Sequence, residues 1–252
     1  AREITDADFP PADSKLFKAV ETGQRVLSES VVLKDFKGKR ILICTAHQDD
    51  EVLFAGGLLG KVAKDAEVTV ACFFRPAEGR KDTDTRIGAM RQVCESLGVG
   101  CVQYPFAVES HHRPLRRFVV LHSEPEENRG RKVRPIGRHG LYPVLRDTAF
   151  AAIRQYRPDI VITHNREGEY GHREHVLLHH AVVEAARHAD TPMLLSFGVG
   201  QEGRPGLTVT YDKRRKKKLF DVYMPQWDGP RLYDFALKPE TYVREALFPV
   251  SG

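Results

Sequence analysis

The chain has 252 residues, of which 41% are hydrophobic and 29% charged, the balance of a globular protein with a real core, which excludes a disordered, collagen-like or coiled-coil chain. The length fits one large domain. The net charge of +5 points to an anionic partner, but residues 107–140 hold eight Lys or Arg against four Glu, residues 213–218 read KRRKKK, and the remainder is net acidic, so the basic character belongs to two segments and not to the fold.

In chain order, residues 1–38 read as a peripheral extension with Pro10-Pro11 and a helix over 14–29. Short apolar or β-branched runs at 41–46, 67–74, 101–106 and 159–164 predict strands, and helix-period stretches at 51–64, 86–97, 144–156 and 173–188 lie between or after them. Residues 107–140 lack periodicity and carry several Pro, Gly, Arg and His, the profile of a basic insertion. Residues 207–212 predict a further strand, followed by a helix that Pro225 ends. Strands alternating with helices make a mostly parallel sheet with helices on both faces, a Rossmann-like doubly wound α/β fold, so residues 39–252 are expected to form a single domain.

Cys44, Cys72, Cys94 and Cys101 form no CxxC pair, which suits reduced core thiols and a cytoplasmic setting. No run approaches the roughly 18 apolar residues of a membrane span, and the N-terminus lacks the apolar core of a signal peptide. Because the chain starts at Ala1 without Met, a removed leader stays open.

The first strand ends in Ala46-His47-Gln48-Asp49-Asp50-Glu51, with a helix directly after it. In a doubly wound sheet, ligands bind at the carboxyl ends of the strands. His47 and Asp50, three apart across a tight turn, can face one ion while Asp49 stays a free carboxylate. Equally, Asp50 can be an ordinary N-cap with Glu51 in the first turn. The fourth strand runs into Thr163-His164-Asn165 and then Glu167-Gly168-Glu169-Tyr170-Gly171-His172-Arg173-Glu174-His175. His172 and His175 share one face of a helix's first turn. Asp with two His and an open position suits Zn²⁺ or a neighbouring divalent ion. His179, His180 and His188, further down the helix, read as ordinary satisfied histidines.

On these two motifs the chain resembles the LmbE/PIG-L family of zinc-dependent deacetylases, whose signature is an HPDDE-like motif after the first strand and a later Tyr-Gly-His-x-x-His segment. The resemblance covers roughly residues 40–226, including Arg86, the LGV at 97–99 and the KLFDVYMPQ stretch. It implies His47, Asp50 and His175 as metal ligands for Zn²⁺ and Asp49 as general base. His172 would support the oxyanion or protonate the leaving amine, Tyr170 would contact the transition state, and Arg86 would bind substrate. Gln48 stands where the family usually has Pro, Arg173-Glu174 where it has Pro-Asp, and Ala89 where a Glu often follows the Arg.

The implied activity is metal-dependent removal of an acetyl group from an N-acetyl amino sugar, or from a small glycoside or conjugate containing one. Alternatives are an amidase of the same chemistry acting on a larger acyl group or a non-sugar amine, and a nucleic-acid-binding module using the two basic segments. The run at 213–218 reads more simply as a solvated helix face, and residues 107–140 as the mouth of a site for an anionic substrate or a surface loop. Gly198-Val-Gly-Gln-Glu-Gly203 matches GxGxxG but precedes a β-rich run, so no helix N-terminus follows to hold a pyrophosphate. His175 and His179 have HExxH spacing with Val176 at the Glu position, which removes the metalloprotease reading. The oligomeric state is not written in the sequence.

Overall fold

The computed structural model of the protein describes residues 32–75, 83–106, 140–199, 206–223 and 236–245. The predicted helix at 14–29, most of the basic insertion, residues 200–203 of the GxGxxG run and Pro225 lie outside the described residues. After a 3-10 turn at Leu33–Phe36 come β1 (Arg40–Thr45), α1 (Asp50–Val62), β2 (Glu67–Phe74), α2 (Thr83–Leu97) and β3 (Gly100–Phe106). Next are α3 (Tyr142–Tyr156), β4 (Ile160–Thr163), a one-turn α4 (Gly168–Gly171) and α5 (Arg173–His188). The chain continues through β5 (Met193–Phe197), β6 (Gly206–Val209), α6 (Lys213–Asp221) and β7 (Glu240–Arg244).

One seven-stranded sheet runs in the order β3-β2-β1-β4-β5-β7-β6. The first five strands in that order are parallel, and β7 is antiparallel to both β5 and β6. The mostly parallel, doubly wound expectation is borne out. The chain steps outward from β1 to β2 and β3, then returns to place β4 on the other side of β1. The switch point of the sheet therefore lies between the carboxyl ends of β1 and β4, the place where such sheets open a crevice.

The apolar runs are long because these strands are covered on both faces. Ile41, Ile43, Val68 and Val70 pack with α1, α2 and α6 on one side. Leu42, Cys44, Ala71 and Phe73 pack with α3 and α5 on the other. Because side chains alternate along a strand, neighbouring residues feed opposite layers. Cys44, Cys72 and Cys94 are buried free thiols, and Cys101 is half-buried, as the reduced-core reading expects. No described helix is long and apolar enough to cross a membrane.

Two strands were not legible in the sequence, β5 and β7, and with β6 they build the part of the sheet beyond β4. The reading of residues 213–218 as a solvated face also needs correction. Lys213, Arg214, Arg215, Lys217 and Lys218 are exposed, but Lys216 is 1% exposed. Its ammonium donates to the Leu53 carbonyl at 2.8 Å and pairs with Glu240 at 2.6 Å. Glu240 also accepts from the backbone N–H groups of Gly57 and Leu58 at 2.6 and 2.8 Å. One buried ion pair thus clamps α1 between α6 and β7. Gly57 permits the close approach, since a Cβ there would lie 2.3 Å from the Tyr211 ring.

Removing one member of a buried pair strands the other's charge. Glu240→Ala is expected to lower the unfolding free energy by about 3–5 kcal/mol, measured by urea denaturation. A loss below about 1 kcal/mol, the worth of an exposed pair, would contradict this clamp.

Candidate active site

The turn between β1 and α1 carries the first half of the site. Asp49 holds the N-cap position of α1 at φ +116° and makes no capping hydrogen bond, a left-handed conformation uncommon for a residue with a side chain and typical of functional sites. Its carboxylate instead takes the Arg86 guanidinium at 2.6 Å, and Arg86 also donates to the Gln48 carbonyl at 2.6 Å. Asp50 is the first residue of α1. Its Oδ2 turns back to accept the His47 N–H at 2.7 Å, so the simple N-cap alternative for Asp50 does not hold.

The end of β4 and the start of α5 supply the other half. His164 follows β4, His172 caps α5, and His175 sits in its first turn. His175 Nε2 lies 3.2 Å from His47 Nδ1 and 3.4 Å from Asp50 Oδ2, and His47 Nδ1 lies 3.5 Å from that same oxygen. A divalent ion with tetrahedral ligands at roughly 2.0–2.1 Å separates neighbouring donors by about 3.3–3.4 Å. The triangle His47, Asp50 and His175 therefore has the dimensions of one face of such a site.

Two overlapping groups also bring donor atoms within 4.8 Å, namely His47, His172 and His175, and Asp50, His164 and His175. His164 is set apart by its partners. Its Nε2 accepts the Ala46 N–H at 2.9 Å, which uses the lone pair that a ligand would offer. Burial opposes a charge on His164, while Glu169 and Asp50 together raise its pKa to about 9. The Ala46 amide fits only the neutral ring, and a cation on Asp50 would favour the same form.

Electrostatics prepare the triangle for a cation. Burial lowers His47, and burial seconded by His164 brings His175 down to about 3, so both imidazoles are neutral near pH 7. Burial alone would raise Asp50, but His175 and His164 outweigh it and hold the carboxyl well below the usual range. Asp49 behaves oppositely: burial raises it well above an ordinary carboxylate, against the pull of Arg86. Burial likewise takes Glu51 up to about 7 despite the Tyr223 hydroxyl that donates to it. Two neighbouring aspartates are thereby driven apart, a pattern that marks separate roles at a site.

Six of the seven residues singled out from sequence, His47, Asp49, Asp50, Arg86, His172 and His175, converge here. The seventh, Tyr170, falls on α4, and its side chain lies outside the described part of the structure. His172 Nδ1 is 2.9 Å from Glu174 Oε2, the carboxylate that stands where the family usually has Asp. Gln48 is 1% exposed and donates to the Phe74 carbonyl and to Gln103, bracing the ends of β2 and β3. His179 and His188 are satisfied by the carbonyls of His164 and Glu184. Sequence reasoning gave no role to Asn165 or Glu169, although the second lay in view as an extra carboxylate just before His172.

A triangle of two imidazoles and a carboxylate that could hold a cation, next to a second carboxylate at the switch point of a doubly wound sheet, marks a candidate divalent-metal site in an α/β protein. The chain belongs to the PIG-L family, described as GlcNAc-PI de-N-acetylase, whose model matches residues 42–186, more than half of the chain. It is 30% identical over 172 residues to 1D-myo-inositol 2-acetamido-2-deoxy-alpha-D-glucopyranoside deacetylase of Rhodococcus erythropolis, covering 61% of this chain and 56% of that one. The chain thus spans just over half the length of that relative. Among solved structures, A40926 pseudoaglycone deacetylase Dbv21 superposes with a TM-score of 0.60 at 19% identity, covering 82% of this chain and 96% of that chain. The 4-carboxy-2-hydroxymuconate hydratase GalB of Pseudomonas putida matches with a TM-score of 0.54 at 15% identity, over 85% and 98%. These two likenesses show the fold.

Protein dialysed against a divalent metal is expected to retain about one equivalent per chain at a three-ligand site, measured by inductively coupled plasma mass spectrometry. Asp50→Asn should lose it while keeping its far-ultraviolet circular dichroism. Full retention in that variant would move the metal elsewhere.

Proposed function

We propose that the protein is a zinc-dependent N-deacetylase that hydrolyses the acetamide of an N-acetyl amino sugar, or of a small conjugate containing one. The observation that carries this reading is the triangle of His47 Nδ1, Asp50 Oδ2 and His175 Nε2, with sides of 3.2–3.5 Å, beside an Asp49 carboxylate held apart by Arg86. Two neutral imidazoles and one carboxylate suit Zn²⁺ and leave an open position. Zn²⁺ held there would acidify a water from a pKa of 15.7 towards about 7 and polarise the acyl carbonyl. The family and the named activity of the Rhodococcus relative support the sugar acetamide as substrate.

The chain's own residues then divide the proton work. Asp49 takes the proton of the attacking water, and Arg86 orients its carboxylate and favours the ionised form that a base requires. His172, with its side chain 32% exposed and Glu174 behind it, faces the crevice and returns a proton to the departing amine. Tyr170 is assigned a contact to the transition state. Free buried thiols at Cys44, Cys72 and Cys94 fit a reducing compartment such as the cytoplasm.

Mass-spectrometric screening of N-acetyl amino sugars and their conjugates should find loss of one acetyl mass. Asp49→Asn should keep its metal and lose turnover by about 10²–10⁴-fold, the usual worth of a general base; near-normal turnover would remove Asp49 from that role. A base works only when ionised, so kcat falls as the pH drops through the pKa of Asp49. Arg86→Gln removes a cation that lowers this pKa, so the acid limb of the kcat profile should move to higher pH. A shift to lower pH would contradict the Arg86–Asp49 pairing.

A further inference from the structure

We propose that Glu169 is a positioning residue, whose single oxygen fixes the ring form of two imidazoles and so ties the β1 turn to α5 around the metal position. This rests on the ligand set proposed above. Glu169 Oε2 accepts from His175 Nδ1 at 2.6 Å and from His164 Nδ1 at 2.9 Å, with all of these side chains fully buried. A neutral imidazole has one N–H. Placing it on Nδ1 in both rings leaves both Nε2 atoms bare.

The two bare nitrogens do different jobs. His175 Nε2 points at His47 Nδ1 and Asp50 Oδ2, at 3.2 and 3.4 Å, the position of a ligand atom. His164 Nε2 accepts the N–H of Ala46 at 2.9 Å, the residue before His47. One carboxylate therefore aims a donor from α5 and, through His164, anchors the backbone that delivers the donor from β1. Carboxylates behind metal-bound histidines act in this way, fixing the tautomer and raising ligand basicity.

Glu169 is itself held against its backbone preference. It has φ +59° after Gly168 at φ +67°; the left-handed region is free to the glycine, but a residue with a side chain keeps it only where its surroundings enforce it. Asn165 enforces it. Its N–H donates to Glu169 Oε1 at 2.8 Å, and its Oδ1 accepts the N–H groups of Glu169 and Glu167 at 3.0 Å. Its amide Nδ2 donates to the carbonyls of Phe197 and Val199 at 2.9 and 2.8 Å, which fastens the loop to the end of β5. Glutamine cannot replace this carboxylate: with its oxygen towards the Asn165 N–H, its amide group donates towards both rings. With the amide turned round, the Asn165 N–H loses its acceptor.

The test combines two readouts that need no substrate. In ¹⁵N-histidine-labelled, metal-free wild type, two-bond ¹H–¹⁵N spectra should show His164 and His175 with the proton on Nδ1. In Glu169→Gln, at least one of them should move its proton to Nε2. Zinc affinity, by competition with a chelator, should fall about 10–100-fold in Glu169→Gln, with Glu169→Asp, shorter but still a carboxylate, retaining more affinity than Gln. His175 found with its proton on Nε2 in the wild type would overturn the proposal, whether or not any variant folds. So would wild-type affinity in Glu169→Gln, or an Asp variant weaker than the Gln variant, which would mark a role of shape alone. If the wild type takes up no zinc, the ligand reading fails, and the ring forms still decide whether Glu169 sets the two imidazoles.

Discussion

Asp50 Oδ2 is the point at which the two halves of the sheet meet. Within 3.5 Å of that atom lie the His47 amide, His47 Nδ1, His164 Nε2 and His175 Nε2. A carboxylate with 1% exposure cannot remain ionised without compensation, because burial of an unpaired charge costs several kcal/mol. The His47 amide donates to it, and a cation shared with the imidazole nitrogens aimed at it from both motifs would supply the rest of that compensation. A site that concentrates one negative charge among neutral imidazoles is an acceptor for a cation, and the position of β1 and β4 at the switch point is what makes those groups converge.

The fold does not choose the chemistry. A hydratase shares this architecture with a TM-score of 0.54, as expected where functions are grafted onto common α/β sheets. Here two adjacent aspartates are given opposite surroundings: imidazoles hold Asp50 ionised, while burial raises Asp49 against Arg86. That division would suit one carboxylate to holding a cation and its neighbour to accepting protons, the roles proposed for them. The net positive charge of the chain contributes nothing described at this site. One cation of the 213–218 run, Lys216, is consumed inside the fold by Glu240, and the other five face solvent.

Much of this was legible in the sequence because the informative patterns are local. The apolar runs at 41–46 and 67–74 name central strands, and the spacing of His47 to Asp50 and of His172 to His175 survives folding almost unchanged. What escaped is non-local. β5 is only five residues, MLLSF, directly after Pro192, and β7, ETYVR, becomes a strand by pairing with both β5 and β6. Lys216 is hidden among like charges, and its burial depends on Glu240, 24 residues later in the sequence. Glu169 and Asn165 carry no motif, since their importance lies in a positive φ and in reciprocal hydrogen bonds that only the closed loop creates. Gln48, a departure from the family pattern, leans into β2 and β3 and so leaves the metal triangle intact.

On the proposed reading His47, Asp50 and His175 would hold one divalent ion, and Asp49 and His164 would not. The most direct measurement is anomalous diffraction at the zinc edge from crystals grown with zinc. One strong peak is expected within bonding distance, about 2.0–2.2 Å, of His47 Nδ1, Asp50 Oδ2 and His175 Nε2. A peak bonded to His164, a peak bonded to Asp49, or no peak between the ends of β1 and β4 would contradict it.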